Sequence, residues 1–305
     1  MISVIVCTFN RARALQKMLD SFFRQRQLDQ VPHELLIIDN NSNDDTAAVV
    51  REFLREEGTR YFFEANQGLS FARNRGFTEA RGEFISFLDD DVLVNEDWLS
   101  SLKACFDQTR ADVVGGKVSL RFEVPPEKWL GGLFRKCLSE VDLGDSRKIL
   151  SDGDCLYGAN LSFRRKTLDS VGLFETNAGR SGHGLVSGEE TQVVRKIRAI
   201  KGRIVYDPDA SVEHLIGAER LQWQYFVKRA GGDGVTLEFL EPRKSRGYQA
   251  LRVCKAAMDL LNSGYSRYTM FSRTDDSYQR KLAQFLFVRQ RSYLTARLAR
   301  LVSSG

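Results

Sequence analysis

Apolar residues over the first 120 positions fall into two alternating kinds of segment. Short, nearly unbroken runs occur at Ile2–Val6, Glu34–Asp39 (ELLIID), Tyr61–Glu64, Phe84–Leu88 and Val113–Val118. Between them, helical spacing covers Ala12–Phe23, a segment beginning near Asp44, Leu69–Ala80 and Glu96–Phe106. Runs of the first kind suit strands buried on both faces, and their alternation with helices predicts βαβ units and a mostly parallel central sheet flanked by helices. Positions 121–155 lose this periodicity and read as an excursion over the surface. Further on, YGANLSFRR at 157–165 predicts a strand, and the glycine-rich 177–188 stretch a mobile loop. A helix is expected on Val193, Val194, Ile197 and Ile200, followed by strands at Arg203–Tyr206 and Ala210–His214. After Gly217 the pattern is helical, with a glycine break at 230–234. The expected organisation is an α/β domain over 1–217 and a helical extension over 218–305.

Composition narrows the class. With 305 residues, 42% hydrophobic and 28% charged, the chain is globular rather than fibrous or disordered. Cys7, Cys105, Cys137, Cys155 and Cys254 are odd in number, widely spaced and form no C-x-x-C pair, which disfavours a disulfide framework or zinc site and fits a reducing cytosol. No apolar run reaches the roughly 18 residues of a spanning helix, and the sequence opens on a strand pattern rather than a signal peptide. A cytoplasmic protein, at most peripheral on the inner membrane face, is expected.

Charge changes that picture at one end. Residues 243–305 carry thirteen Lys and Arg against three Asp, whereas 1–242 carry 32 basic and 37 acidic residues. In the tail, Leu251, Ala257, Leu260, Leu261, Leu282, Phe285, Leu286 and Leu298 interleave with Arg252, Lys255, Arg280, Lys281, Arg289, Arg291 and Arg297. Basic amphipathic helices either lie on an anionic membrane surface or pack on a neighbouring domain with their charges in water, and both readings stay open. No nucleic-acid recognition module accompanies the charge, so nucleic acid is not an expected partner.

The sharpest chemical signal is GEFISFLDDDVLVNEDWL at 82–99, where an apolar run ends in Asp89, Asp90 and Asp91. Three adjacent carboxylates repel unless a cation, donors or water compensate them. A solvated turn would satisfy them, but ligands of parallel sheets collect at strand carboxyl ends, and hard oxygen ligands suit a divalent ion on substrate phosphates.

Together with SVIVCTFNR at 3–11, LLIIDNNSNDDT at 35–46, NQGLSFARNRG at 66–76 and GEE at 188–190, this stretch resembles, in order and spacing, the motifs of family-2 glycosyltransferases with the GT-A fold, over roughly residues 1–230. The resemblance implies a metal-dependent, inverting transfer of a sugar from a nucleotide-sugar donor, a uridine diphosphate one, to a glycan or lipid-linked acceptor. It implies that Thr8, Asn10 and Arg11 touch the nucleotide, that Asp39 accepts from the base and that Arg73 lies near base and phosphates. It implies Asp91 as a ligand of Mn2+ or Mg2+, with His214 beside it, places Asp89 on the ribose or a metal-bound water, and leaves Asp90, a donor-binding residue, between these two roles. It assigns Glu190 the base role, where relatives carry Glu-Asp or Asp-Asp. Taken alone, Asp39 also reads as a turn residue, Arg11 as a solvated helix start and His214 as a structural histidine. Ser187-Gly-Glu-Glu190 likewise reads as a capping box that would make Glu190 a helix cap. Helical spacing places Glu190 on the inward face of Val193, Val194 and Ile197, and the resemblance gives Glu189 no base position.

Two rivals remain at this level. A sugar-phosphate nucleotidyltransferase should carry a glycine-rich phosphate loop near its start, which CTFNRARAL is not. A non-catalytic nucleotide- or carbohydrate-binding protein would share the binding residues without turnover.

Overall fold

The first apolar run forms β1 (Ile2–Thr8), whose side chains are almost all buried because the strand has a neighbour on each edge and helices against it. In the computed structural model, which describes residues 1–176, 186–241, 245–271 and 276–303, β1 is followed by β2 (His33–Asp39), β3 (Thr59–Phe63), β4 (Phe84–Asp89) and β5 (Val92–Val94). Then come β6 (Val113–Phe122), β7 (Lys148–Ile149), β8 (Asn160–Arg164) and β9 (Ile204–Ile216). Helices α1 (Ala12–Phe22), α2 (Thr46–Phe53), α3 (Leu69–Glu79) and α4 (Trp98–Thr109) separate the early strands, and α5 (Gly132–Cys137), α6 (Arg165–Val171) and α7 (Glu189–Ala199) the later ones. The last helices are α8 (Trp223–Phe239), α9 (Arg246–Phe271) and α10 (Ser277–Ser303).

Among the described residues, one sheet runs in the order β3-β2-β1-β4-β8-β6-β9-β5, with β7 paired on β9. It is parallel across β3, β2, β1 and β4, the half that the βαβ alternation predicts. Beyond β4, β8 is antiparallel to both β4 and β6 and β9 to both β5 and β7, so the sheet as a whole is mixed rather than mostly parallel, and β8 is inserted between two strands of like direction. The two strands expected at 203–206 and 210–214 are one, because the residues between them stay extended within β9. The excursion after β6 is ordered enough to include α5 and β7. The described part of the loop expected at 177–188 is 186–188; the rest lies outside the described residues.

The chain divides into two compact units. The first holds 1–121, the described part of 139–182, and 189–215; the second holds 122–138, 186–188 and the described residues from 216 onward. The second unit thus takes in a segment of the excursion that a division at 217/218 leaves out. Its helix α10 packs against both α8 and α9. Phe134 makes edge-on contacts with Trp129, Trp223, Phe226 and Phe285, which is what recruits 122–138. The glycine break expected at 230–234 is absent, since α8 continues through it. Glycine costs a helix about 1 kcal/mol relative to alanine, and the close approach of α10 offsets it: a Cβ on Gly234 would sit 2.3 Å from the Arg289 carbonyl oxygen.

Candidate active site

Three adjacent parallel strands deliver the site. The register pairs Thr8 with Asp39 and Cys7 with Asp89, so the ends of β1, β2 and β4 reach the same edge of the sheet. The chain turns there from Asp89 into Asp90 and Asp91, and β5 pairs Val92 with His214 on β9. The Leu215 N–H donates to the Asp91 carbonyl at 2.8 Å, which fixes His214 beside the triplet.

Each of the three acids has different company. Asp90 is buried and accepts from the Thr8 hydroxyl at 2.8 Å and from Arg11 Nη1 at 3.0 Å. Burial pushes its carboxyl up to about 6, against the pull of Arg11 and with the push of Asp91. Arg11 Nη1 also donates to Asp91 at 2.7 Å, and those acids, Asp90 foremost, hold its guanidinium above its ordinary range. Asp91 Oδ1 lies 3.2 Å from His214 Nε2. One ligand atom each from Asp89, Asp91 and His214 lie within 4.8 Å of one another. Two carboxylate oxygens and an imidazole nitrogen at a strand end form a donor set that fits a divalent ion, the nitrogen favouring a manganese-like one. Cys7, behind these acids, is no nucleophile: desolvation pushes its thiol up to about 12.

Asp39 and Asn10 bond into the loops around them rather than to the triplet. Asp39 accepts from the Ser42 N–H at 2.9 Å and the Tyr61 hydroxyl at 2.8 Å. Asn10, in the left-handed region at φ 52°, donates its N–H to Ser42 Oγ and accepts from the Asn43 N–H. Asn40, which the sequence did not single out, is a buried organiser: its amide donates to the Glu64 and Asn66 carbonyls and accepts from the Gly68 N–H that opens α3.

Arg73, on α3, is the second focus. It is 4% exposed, with Nη1 donating to Glu189 at 2.7 Å, the same nitrogen 3.7 Å from Glu190, and Nη2 3.9 Å from Asp89. Desolvation works against its charge, yet Glu189, Glu190 and Asp89 win and raise its pKa. The guanidinium carbon stands 5.4 Å from the Phe174 ring and 5.9 Å from Phe87. Asn74 clamps Phe174 in place, donating to its carbonyl and accepting from its N–H. Gly158 completes the enclosure, because a Cβ there would lie 2.2 Å from Arg73 Nη2.

The capping-box reading of Glu190 does not survive. Helix α7 starts at Glu189, so Glu190 is its second residue rather than its third, and the Ser187 N–H that a box would engage donates to the Thr236 hydroxyl instead. Of the two acids, Glu189 is the fully buried one, at 1% exposure. A signal for this existed: Glu189, Val193 and Ile197 stand at i, i+4 and i+8, a single helix face.

The family described as Glycosyl transferase family 2 matches residues 3–172. The glucosyl-dolichyl phosphate glucuronosyltransferase of Haloferax volcanii is 27% identical over 80% of this chain and 79% of its own. The succinoglycan biosynthesis protein ExoM of Rhizobium meliloti is 28% identical over 81% and 77%. Among solved structures, the mannosyltransferase PcManGT of Pyrobaculum calidifontis, in complex with GDP-Man and Mn2+, covers 99% of this chain and 87% of its own with a TM-score of 0.61 at 18% identity, a likeness of fold. The strand-end acids, the crossover helices and the motif order thus meet in one assignment: this chain belongs to the family-2 glycosyltransferases and has the GT-A fold.

Proposed function

We propose that this enzyme transfers a sugar, with inversion, from a nucleoside diphosphate sugar to a hydroxyl of a lipid-linked or glycan acceptor. The observation that carries the reading is the juxtaposition of the Asp89, Asp91 and His214 ligand atoms with Glu190 across a single buried cation, Arg73. Asp91 and His214, with Asp89, would hold a divalent ion, whose chemistry is to neutralise charge on the departing diphosphate. Glu190 takes the proton from the acceptor hydroxyl as that oxygen bonds to the anomeric carbon and the carbon–oxygen bond to the diphosphate breaks. Asp39 and the Asn10–Arg11 loop receive the nucleoside.

Uridine is the base we favour, from the motif resemblance, although the Pyrobaculum enzyme holds GDP-Man. A lipid-linked acceptor accords with the name of the Haloferax relative. It also accords with a stripe along α9, where Leu251, Met258 and Leu261 are 68%, 57% and 71% exposed and Lys255 is exposed among them. Ala256 faces the opposite way, into the interior, so the basic tail packs with one face and offers the other. We read that stripe as facing an anionic bilayer; among the described residues no helix is long and apolar enough to cross one.

Titration calorimetry with uridine and guanosine diphosphates, with and without manganese, tests the donor site. Metal-dependent binding of the uridine form that Asp91→Ala abolishes is expected. Equal affinity in Asp91→Ala without metal would sink the metal role, and preference for guanosine the choice of base.

A further inference from the structure

Glu189 takes no part in the chemistry above, yet it is the acid that Arg73 engages most closely, at 2.7 Å against 3.7 Å for Glu190 and 3.9 Å for Asp89. We propose that Glu189 is a positioning residue for the transfer: by capturing the Arg73 guanidinium it holds that cation between Asp89 and Glu190 without letting it close on either. The proposal rests on Glu190 being the base.

The surroundings leave Arg73 little freedom to find this place by itself. Phe87 and Phe174 flank the guanidinium, Gly158 admits it only for want of a side chain, and Asn74 fixes Phe174. A buried guanidinium pairs with a carboxylate within reach, because leaving the cation uncompensated in a dry interior is costly. Without the Glu189 charge, the carboxylates still in reach are Glu190 and Asp89. An arginine closed on Glu190 would occupy the oxygen that must accept the acceptor's proton and stabilise its ionised form, which makes a weaker base. An arginine closed on Asp89 would draw that carboxylate from the strand-end cluster. Glu189 therefore acts through Arg73 on both halves of the reaction while touching neither substrate.

The test compares full-length Glu189→Gln, Glu189→Asp, Arg73→Met/Glu189→Met and Glu190→Gln with the unaltered enzyme, using a nucleotide sugar and an acceptor on which that enzyme turns over. Glu189→Gln should lose at least tenfold in kcat, lose less than that in nucleotide diphosphate affinity, and show the acid limb of its pH profile moved to lower pH. Glu189→Asp, with the charge retained on a shorter arm, should recover part of the rate. The double variant replaces the pair by apolar groups and should fold stably but stay slow. If the double variant regains the normal rate, the pair only packs the interior and the proposal falls. It falls equally if Glu189→Gln keeps kcat within twofold. Full activity in Glu190→Gln would overturn the base reading and the positioning role with it, whereas a slow Glu190→Gln beside a normal Glu189→Gln would overturn the positioning role alone.

Discussion

The most deeply buried arginines of the two units, Arg73 in the first and Arg297 in the second, are partnered in opposite ways. Arg297, on α10, donates to the Tyr293 hydroxyl and the Gln249 amide oxygen, both at 2.8 Å, with Glu241 at 3.6 Å. Those partners come from α10 itself, from α9 and from the chain just after α8, so the cation ties helices together through largely neutral acceptors. Arg73 instead faces three carboxylates, drawn from a strand end and a helix start. Burial alone does not distinguish a functional charge from a structural one. What differs is the surplus: acids outnumber the cation at Arg73, a cost in folding that accords with the proposed handling of a divalent ion and a proton there.

The strongest way to break this contrast is at Glu190. Glu190→Gln should fold and bind nucleotide as the parent does, yet lose on the order of a hundredfold or more in turnover, the scale of a lost general base. Retained turnover, measured with a transfer assay beside a thermal melt, would make the acid surplus merely electrostatic. Arg297→Met should do the reverse and spare the chemistry while lowering stability by about 3 kcal/mol, the low end for breaking a buried pair, because Arg252 still attends Glu241. Urea unfolding followed by tryptophan fluorescence reads this well, since Trp129 and Trp223 lie in the second unit and Trp98 in the first.

Smaller effects sharpen the comparison. Cosedimentation with phosphatidylglycerol-containing vesicles should fall roughly tenfold in a Leu251→Gln/Met258→Gln/Leu261→Gln variant, and with rising salt in the unaltered protein. Equal binding to neutral vesicles, or a dimer that the triple variant dissolves, would assign the stripe elsewhere. The least effect belongs to Asp90, whose carboxyl titrates near 6 rather than 3.8. Because the folded protein holds that proton more tightly, the associated stability is full below 3.8 and is lost as pH rises through 6. In chelator at pH 7.5, Asp90→Asn should therefore melt a few degrees higher than its parent. The gap should close as pH falls toward 4; a gap that persists would trace the effect to packing.

What the sequence made legible was whatever depends on near neighbours. The apolar runs of β1, β2 and β4 fix a buried parallel half, and the acids after β4 announce a site because the run ends there. Strand direction in the other half was not legible, since the alternation of Asn160–Arg164 reads the same from either end. The continuity of α8 depends on α10, more than fifty residues away, and no local rule for glycine contains that partner. Asp91 and His214 were found through motif resemblance and meet across the β5–β9 register. Glu189 was passed over because its partner lies 116 residues earlier, although its i, i+4, i+8 spacing with Val193 and Ile197 already put it on the inward face.

Gly158 gives the enclosure of Arg73 a meaning for variation. A position with no functional group is constrained by the space a guanidinium needs, since a methyl group there would stand 2.2 Å from Arg73 Nη2 and would force a cation already held by Glu189 to shift. In a library of single substitutions, residue 158 should be sensitive although it carries no reactive group, and suppressors of its variants should arise among the residues around the same cation, such as Phe174. Mutational sensitivity should therefore trace the volume around a charge as well as the proposed reacting groups.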